Sequence, residues 1–169
     1  MRLNRGMEFT HSVRFAGPVP AVLEALTSEA VADARAKKVG LDPENYSHEQ
    51  KVDGDKVSSV SRLAIPAQML PEAARAFIRR NVNARIFISS ALAGETAEVP
   101  IRIEMDGVPL TVSAVLTLTP DGKETVGTYA GTLKVNIPFM GAAIENGAKP
   151  HVATLFDTDA EIINGLLAE

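Results

Sequence analysis

The most informative stretch of the chain reads Val108-Pro-Leu-Thr-Val-Ser-Ala-Val-Leu-Thr-Leu-Thr119. Apolar residues occupy every second position here, and strict alternation predicts a β-strand with one buried face. Pro120-Asp-Gly122 follows as a turn and leads into a second alternating stretch, Glu124–Ile137. A short turn between two alternating stretches predicts an antiparallel hairpin.

Five more strands and three helices are predicted before this hairpin. The predicted strands are Glu8–Phe15, Tyr46–Lys51, Lys56–Ile65, Asn83–Ala91 and Glu98–Glu104. Two short helices, Pro20–Leu26 and Glu29–Lys38, follow the first strand, and a third is predicted over Pro71–Arg80. The Tyr46–Lys51 stretch is unusually polar, which indicates an edge strand protected against aggregation.

After the hairpin the spacing of apolar residues becomes helical up to Leu167. One stripe contains Met140, Ile144, Ala148, Val152, Leu155, Phe156, Ile163 and Leu166. Pro150 interrupts this helix and should bend it around its apolar face. A single helix can cover seven strands only if the sheet curls around it, and this arrangement favours an apolar space between them. We therefore predict an α+β fold of order β-α-α-β-β-β-β-β-β-α, with a curved seven-stranded antiparallel sheet wrapped around a long C-terminal helix.

Composition excludes several classes of function. The chain has 169 residues, 17 Lys and Arg against 21 Asp and Glu, and a net charge of −4, which argues against nucleic acid as a partner. The absence of cysteine excludes disulfides and thiolate chemistry. No signal peptide and no apolar run of 18 residues is found, so we expect a cytoplasmic protein without stable membrane insertion. We expect residues 1–6 to be a flexible lead-in and residues 7–169 to form a single domain.

Three segments resemble a known family. They are Met7–Phe15 with the following Pro-Val-Pro-Ala-Val, Pro109–Gly122, and Gly131–Glu145. Together they are similar to the START-like (SRPBCC, helix-grip) superfamily, which contains the birch-pollen allergen, lipid-transfer START domains and polyketide cyclases. The likeness is greatest to the bacterial domain-of-unknown-function 2505 family and extends from about Met7 to Leu167. It implies the helix-grip fold and supplies no catalytic residue.

Histidines and paired carboxylates are the candidates for chemistry. His11 lies on the same side of its strand as the apolar residues, so we expect it to face the interior. We interpret it as a hydrogen-bonded core residue rather than a base. His48 belongs to the opposite edge of a helix-grip sheet, so a two-histidine metal site is not expected. His151 is interpreted as a surface residue. Asp157 and Asp159 are expected on the solvated side of the last helix.

The leading functional hypothesis is binding of a small hydrophobic molecule, lipid or polyketide-like, between the sheet and the last helix. Arg62 and Tyr129 are each expected either to offer a polar group inside an apolar cavity or to be a surface arginine and a core tyrosine. The expected ligand-binding residues are Arg62, Tyr129, Leu133, Val135, Phe139, Met140, Ile144 and Phe156.

Two alternatives stay open. One is a START-like cyclase or hydrolase, which needs an acid and a base that converge inside the cavity, with His11 as the starting point. The other is a structural or partner-binding domain whose interior is filled. We favour a non-catalytic role, expect no catalytic residue, metal or cofactor, and leave homodimer formation open.

Overall fold

The computed structural model describes residues 6–38, 40–54, 56–69, 72–75, 81–93, 95–106, 110–135 and 141–168. The strands are β1 Met7–Phe15, β2 Tyr46–Asp53, β3 Lys56–Ile65, β4 Val82–Ala93, β5 Thr96–Met105, β6 Leu110–Asp121 and β7 Glu124–Val135. The helices are α1 Val19–Leu26, α2 Glu29–Lys38, α3 Glu72–Arg75 and α4 Gly141–Leu167, with two 3-10 turns at Pro43–Asn45 and Ala67–Met69.

The strands form one seven-stranded sheet in the order β1-β7-β6-β5-β4-β3-β2, and every neighbouring pair is antiparallel. This arrangement confirms the predicted α+β class and the predicted antiparallel sheet with a long C-terminal helix. The strands β1 and β2 lie at opposite edges, also as predicted. The turns after β2 and β6 contain Gly54 and Gly122 at φ of +63° and +64°, values that favour glycine.

The two faces of the sheet differ in polarity because side chains alternate along each strand. In register across the sheet, His11 of β1 pairs with Tyr129 of β7, which pairs with Leu116 of β6. This interior face is buried by the helices, and both Tyr129 and Leu116 are almost fully buried. The side chains next to these residues in sequence, such as Val115 beside Leu116 and Ala130 beside Tyr129, lie on the outer face and are exposed.

The helices cover the interior face unevenly. The helix α4 packs mainly on β1 and β7, whereas α2 lies between β2 and α4. Asn164 anchors the C-terminal end of α4: its side-chain oxygen accepts a hydrogen bond from the Ala16 amide (2.8 Å), and its amide nitrogen donates to the Arg14 carbonyl (3.0 Å). As predicted, Pro150 lies inside α4, and it is exposed.

Two predicted elements run into residues that the structure does not describe. The helix predicted over Pro71–Arg80 is described only over Glu72–Arg75, and the rest of it lies outside the described residues. The strand predicted to reach Ile137 is described up to Val135. Residues 1–5 of the predicted lead-in, and Phe139 and Met140 of the predicted ligand site, also lie outside the described residues.

Candidate functional site

Two aromatic side chains join β7 to α4 at the centre of the interior. The rings of Tyr129 and Phe156 stack with centroids 3.8 Å apart and planes 6° apart. Phe9 of β1 adds a tilted contact, its centroid 5.9 Å from that of Phe156. Phe156 lies in the apolar stripe of α4, and alternation along β7 turns Tyr129 toward it. The structure therefore brings together two residues that the sequence proposed for one site.

The other predicted wall residues have different placements. Leu133 and Val135 follow Tyr129 along β7 on the same interior face, and both are almost fully buried. Ile144 lies in α4, and its side chain is outside the described part of the chain. Tyr129, Leu133 and Phe156 belong to one buried apolar cluster between the sheet and α4, and Val135 is buried further along β7.

Arg62 is not part of this cluster. It pairs in register with Ser47 of β2 and Arg85 of β4, which places it on the outer face. Its side chain is 52% exposed and lies 3.7 Å from Glu49. Arg62 also lines a surface depression of about 390 Å³ with Asp106. Of the two alternatives for Arg62, the structure therefore favours the surface arginine and not the predicted ligand-binding residue, because the buried positions on β3, Ser59 and Ser61, are odd-numbered.

The hydroxyl of Tyr129 is the polar group that does reach the interior. Burial raises the pKa of Tyr129, the Asp159 carboxylate raises it further, and Arg35 opposes this effect. The phenol therefore stays protonated at neutral pH and is available as a hydrogen-bond donor. Among the described residues it has no hydrogen-bond partner.

The described core holds few polar side-chain atoms that lack a partner. Of the described side chains, the only wholly enclosed polar atom without a partner is Nε of Arg85. Tyr129 is only 1% exposed, so the protein's own side chains cover almost all of its surface.

A buried ion pair next to this tyrosine joins α2 to α4. Arg35 donates from Nε and one terminal nitrogen to the two carboxylate oxygens of Asp159, each at 2.9 Å. The side chains are 8% and 14% exposed. Asp159 was expected on the solvated side of the helix, and this expectation was wrong. Asp159 lies three residues after Phe156 and four before Ile163, a spacing that places all three on the buried face of α4.

His11 faces the interior side of β1, as predicted, and contacts α4. Its Nε2 lies 2.6 Å from Oδ1 of Asp157, with side-chain exposures of 26% and 58%. This contact gives the ring the expected hydrogen-bond partner, but the exposure of both side chains places His11 at the margin of the interior and not in the core, where it was predicted. His151 is exposed, also as predicted.

His48 has partners that the sequence analysis missed. Its Nδ1 lies 2.8 Å from Oγ of Ser61 on β3, and its Nε2 lies 2.9 Å from the carbonyl oxygen of Thr27, just after α1. Gln50 donates to the Thr27 hydroxyl at 3.1 Å. The signal available in the sequence was the alternation of His48 and Gln50 on one face of a polar strand.

Metal and membrane sites receive no support from the part of the chain that is described. No group of three or more His, Asp or Glu side chains there could hold a metal ion. No helix in these ranges is long and apolar enough to cross a membrane. A depression of about 640 Å³ does exist, but the side chains of Phe87, Pro100 and Val115 that line it lie on the outer face, opposite Tyr129.

Comparison with known families identifies the family to which the chain belongs. Residues 10–167 match the family described as "Protein of unknown function (DUF2505)". The chain belongs to this family. DUF2505 was also the family that the three sequence segments resembled, so the resemblance is confirmed. Comparison with curated proteins gives no significant match.

Solved structures share the DUF2505 chain's fold at low sequence identity. A protein from Thermus thermophilus is 11% identical with a TM-score of 0.59, over 96% of this chain and 99% of that one. Norcoclaurine synthase from Thalictrum flavum, solved with dopamine and hydroxybenzaldehyde, is 14% identical with a TM-score of 0.51, over 98% and 88%. Dicamba monooxygenase, bound to 3,6-dichlorosalicylic acid, is 10% identical with a TM-score of 0.63; 95% of this chain matches 49% of that one. The helix-grip α+β fold is therefore shared with these proteins.

Proposed function

We propose that the protein binds a small hydrophobic molecule carrying a hydrogen-bond acceptor, in the interior between the sheet and α4. This proposal rests mainly on the Tyr129 hydroxyl, which is protonated, buried and without a partner among the described residues. An unsatisfied buried donor costs about 1–3 kcal/mol, so a ligand atom that accepts its hydrogen bond is favoured there.

The surrounding interior face supplies the apolar contacts. Leu133 and Val135 on β7 are already covered by the protein's own side chains, whereas the half-buried Ile86 on β4 and Leu110 on β6 keep apolar surface that a ligand could contact. Half-burial on the interior face indicates positions that the described helices leave partly uncovered. A ligand that buries roughly 300 Å² of apolar surface here gains about 7 kcal/mol before the cost of association.

Proteins of the same fold support this choice of ligand. Norcoclaurine synthase and dicamba monooxygenase were each solved with small aromatic molecules. The apolar interior face of this chain, with a donor at Tyr129, suits a molecule with one polar end. Lipid or polyketide-like compounds, which the sequence favoured, have this chemistry.

The test is saturable binding of the apolar fluorescent dye 1-anilinonaphthalene-8-sulfonate to the purified protein, with native mass spectrometry of any co-purified molecule. Ile86→Trp fills the partly uncovered interior face and is expected to weaken dye binding at least tenfold. Phe87→Trp is the matched control, because Phe87 is the next residue on the same strand and lies on the outer face.

Equal dye affinity of Ile86→Trp and Phe87→Trp, or a lack of saturable binding, would overturn the proposal. Tyr129→Phe gives a second measurement that keeps the aromatic stack. This substitution is expected to lower the affinity for any co-purified ligand by roughly tenfold, since a hydrogen bond contributes about 0.5–1.5 kcal/mol.

A further inference from the structure

The two partners of His48 determine which of its ring nitrogens carries the proton. The Thr27 carbonyl oxygen, 2.9 Å from Nε2, can only accept a hydrogen bond, so Nε2 is the protonated nitrogen of the neutral ring. Nδ1 is then the acceptor, and the Ser61 hydroxyl at 2.8 Å donates to it. A serine hydroxyl that donates to a histidine held by a third group is the arrangement of an activated nucleophile.

The Ser61 hydroxyl lies on the interior wall. Ser61 is 6% exposed, and it pairs in register with Ile86, the half-buried residue at the uncovered part of the interior face. The preceding interior residue on β3, Ser59, is 3% exposed. A ligand bound against Ile86 would therefore lie beside a hydroxyl that is hydrogen-bonded to a histidine ring.

We propose that Ser61 and His48 act as a nucleophile and a general base that hydrolyse esters of apolar carboxylic acids in the interior. This inference rests on the proposed function, since the same apolar interior face would bind the acyl chain. It adds a reaction, and it names the substrate class as an ester.

The reaction balances with water as the second reactant. The Ser61 oxygen attacks the ester carbonyl while its proton moves to Nδ1 of His48, and the Thr27 carbonyl stabilises the resulting imidazolium through Nε2. The tetrahedral adduct expels the alcohol, which takes the proton from His48, and leaves an acyl group on Ser61. Water then attacks the acyl group with His48 again as base, which releases the acid and regenerates the serine hydroxyl.

A purely structural role of the same residues is the alternative. His48 and Gln50 both bind Thr27, and these bonds attach the edge strand β2 to the end of α1. His48→Gln separates the two roles, because a glutamine amide can donate to Thr27 and accept from Ser61 but cannot take up a proton. A structural role survives this substitution, whereas general-base activity is lost.

The experiment uses the full chain with a fluorophosphonate probe and with p-nitrophenyl octanoate. The expected result is covalent labelling of Ser61, located by peptide mass spectrometry, and ester hydrolysis that Ser61→Ala abolishes. His48→Gln is expected to lower both rates about 100-fold or more. Ser58→Ala, which removes a hydroxyl from the outer face of the same strand, is expected to retain both rates.

Labelling of Ser61→Ala equal to that of the wild type, or hydrolysis unchanged in His48→Gln, would overturn the inference. Dye binding by Ser61→Ala distinguishes this failure from failure of the proposed function. If the dye still binds saturably and Ile86→Trp weakens it, the binding site stands and only the reaction is excluded.

Discussion

Tyr129 is the residue at which fold and proposed function meet. Its ring packs on Phe156 as part of the core, while its hydroxyl has no partner among the described residues. Such a hydroxyl does not stabilise the folded state, since burying a donor without an acceptor lowers the free energy of unfolding. In the proposed function, this hydroxyl is the group that donates a hydrogen bond to the ligand.

The raised pKa of Tyr129 predicts a stability change at alkaline pH. The folded state keeps the phenol proton at pH values where the unfolded chain, with a tyrosine pKa of about 10, has lost it. The contribution of the protonated Tyr129 phenol to the free energy of unfolding is therefore fully present below pH ~10 and is lost as pH rises above this value. Above pH ~10, the free energy of unfolding should fall faster in the wild type than in Tyr129→Phe, by about 1.4 kcal/mol per pH unit. Urea unfolding at several pH values measures this, and parallel pH curves would contradict it.

At the scale of elements, the Arg35–Asp159 pair joins α2 to α4 over the interior face of the sheet. Both side chains are buried, and the two hydrogen bonds are bidentate. The sequence contained a signal for this contact: Arg35 falls on the buried face of α2 with Val31 and Ala32. A charge on an otherwise apolar helix face indicates a buried partner, but the partner's identity depends on how two helices distant in sequence pack.

We expect Arg35→Met to lower the free energy of unfolding by about 3–5 kcal/mol, because it leaves the Asp159 carboxylate buried and unpaired. The double variant Arg35→Met/Asp159→Leu should recover most of this loss, since neither charge remains. Arg14→Met is the control: Arg14 pairs with Asp121 on the surface, with exposures of 58% and 56%, and should cost less than about 1 kcal/mol. Urea unfolding checks all three, and a loss in Arg35→Met no larger than in Arg14→Met would exclude the expected role.

At the scale of the whole molecule, the open sheet has two edges, and the edge at β2 is protected by its own sequence. Its side chains are mostly exposed and polar, as predicted for an edge strand. Glu49 and Lys51 both point to the outer face, where charge discourages a second chain from pairing with the edge. This protection matters because an edge strand of an open sheet carries unpaired backbone groups that can pair with another chain.

Replacing Glu49 and Lys51 by valine should therefore promote association through β2. The expected result is a shift to larger species with rising protein concentration, measured by size-exclusion chromatography with light scattering. Ser113→Val places valine on the same face of β6, a strand with neighbours on both sides, and should leave the elution unchanged. An elution profile of the edge variant identical to that of Ser113→Val would show that the charges do not protect this edge.

The sequence by itself determined the antiparallel sheet, its order of elements, the long last helix, and the interior positions of Tyr129, Leu133, Val135 and Phe156. These follow from local periodicity, since alternation and helical spacing report directly which face of an element is buried. It did not determine the placement of Arg62, because the apolar residues of β3 do not alternate strictly and pairing with β2 and β4 decides which of its faces is interior.

Only the tertiary structure brought Arg35 to Asp159, His48 to Ser61 and Thr27, and His11 to Asp157. Each of these contacts joins two elements whose relative position depends on the packing of the whole chain. Local sequence patterns do not identify which distant residue is the partner in such a pair. These contacts could therefore be assigned only from the packing of the helices against the sheet.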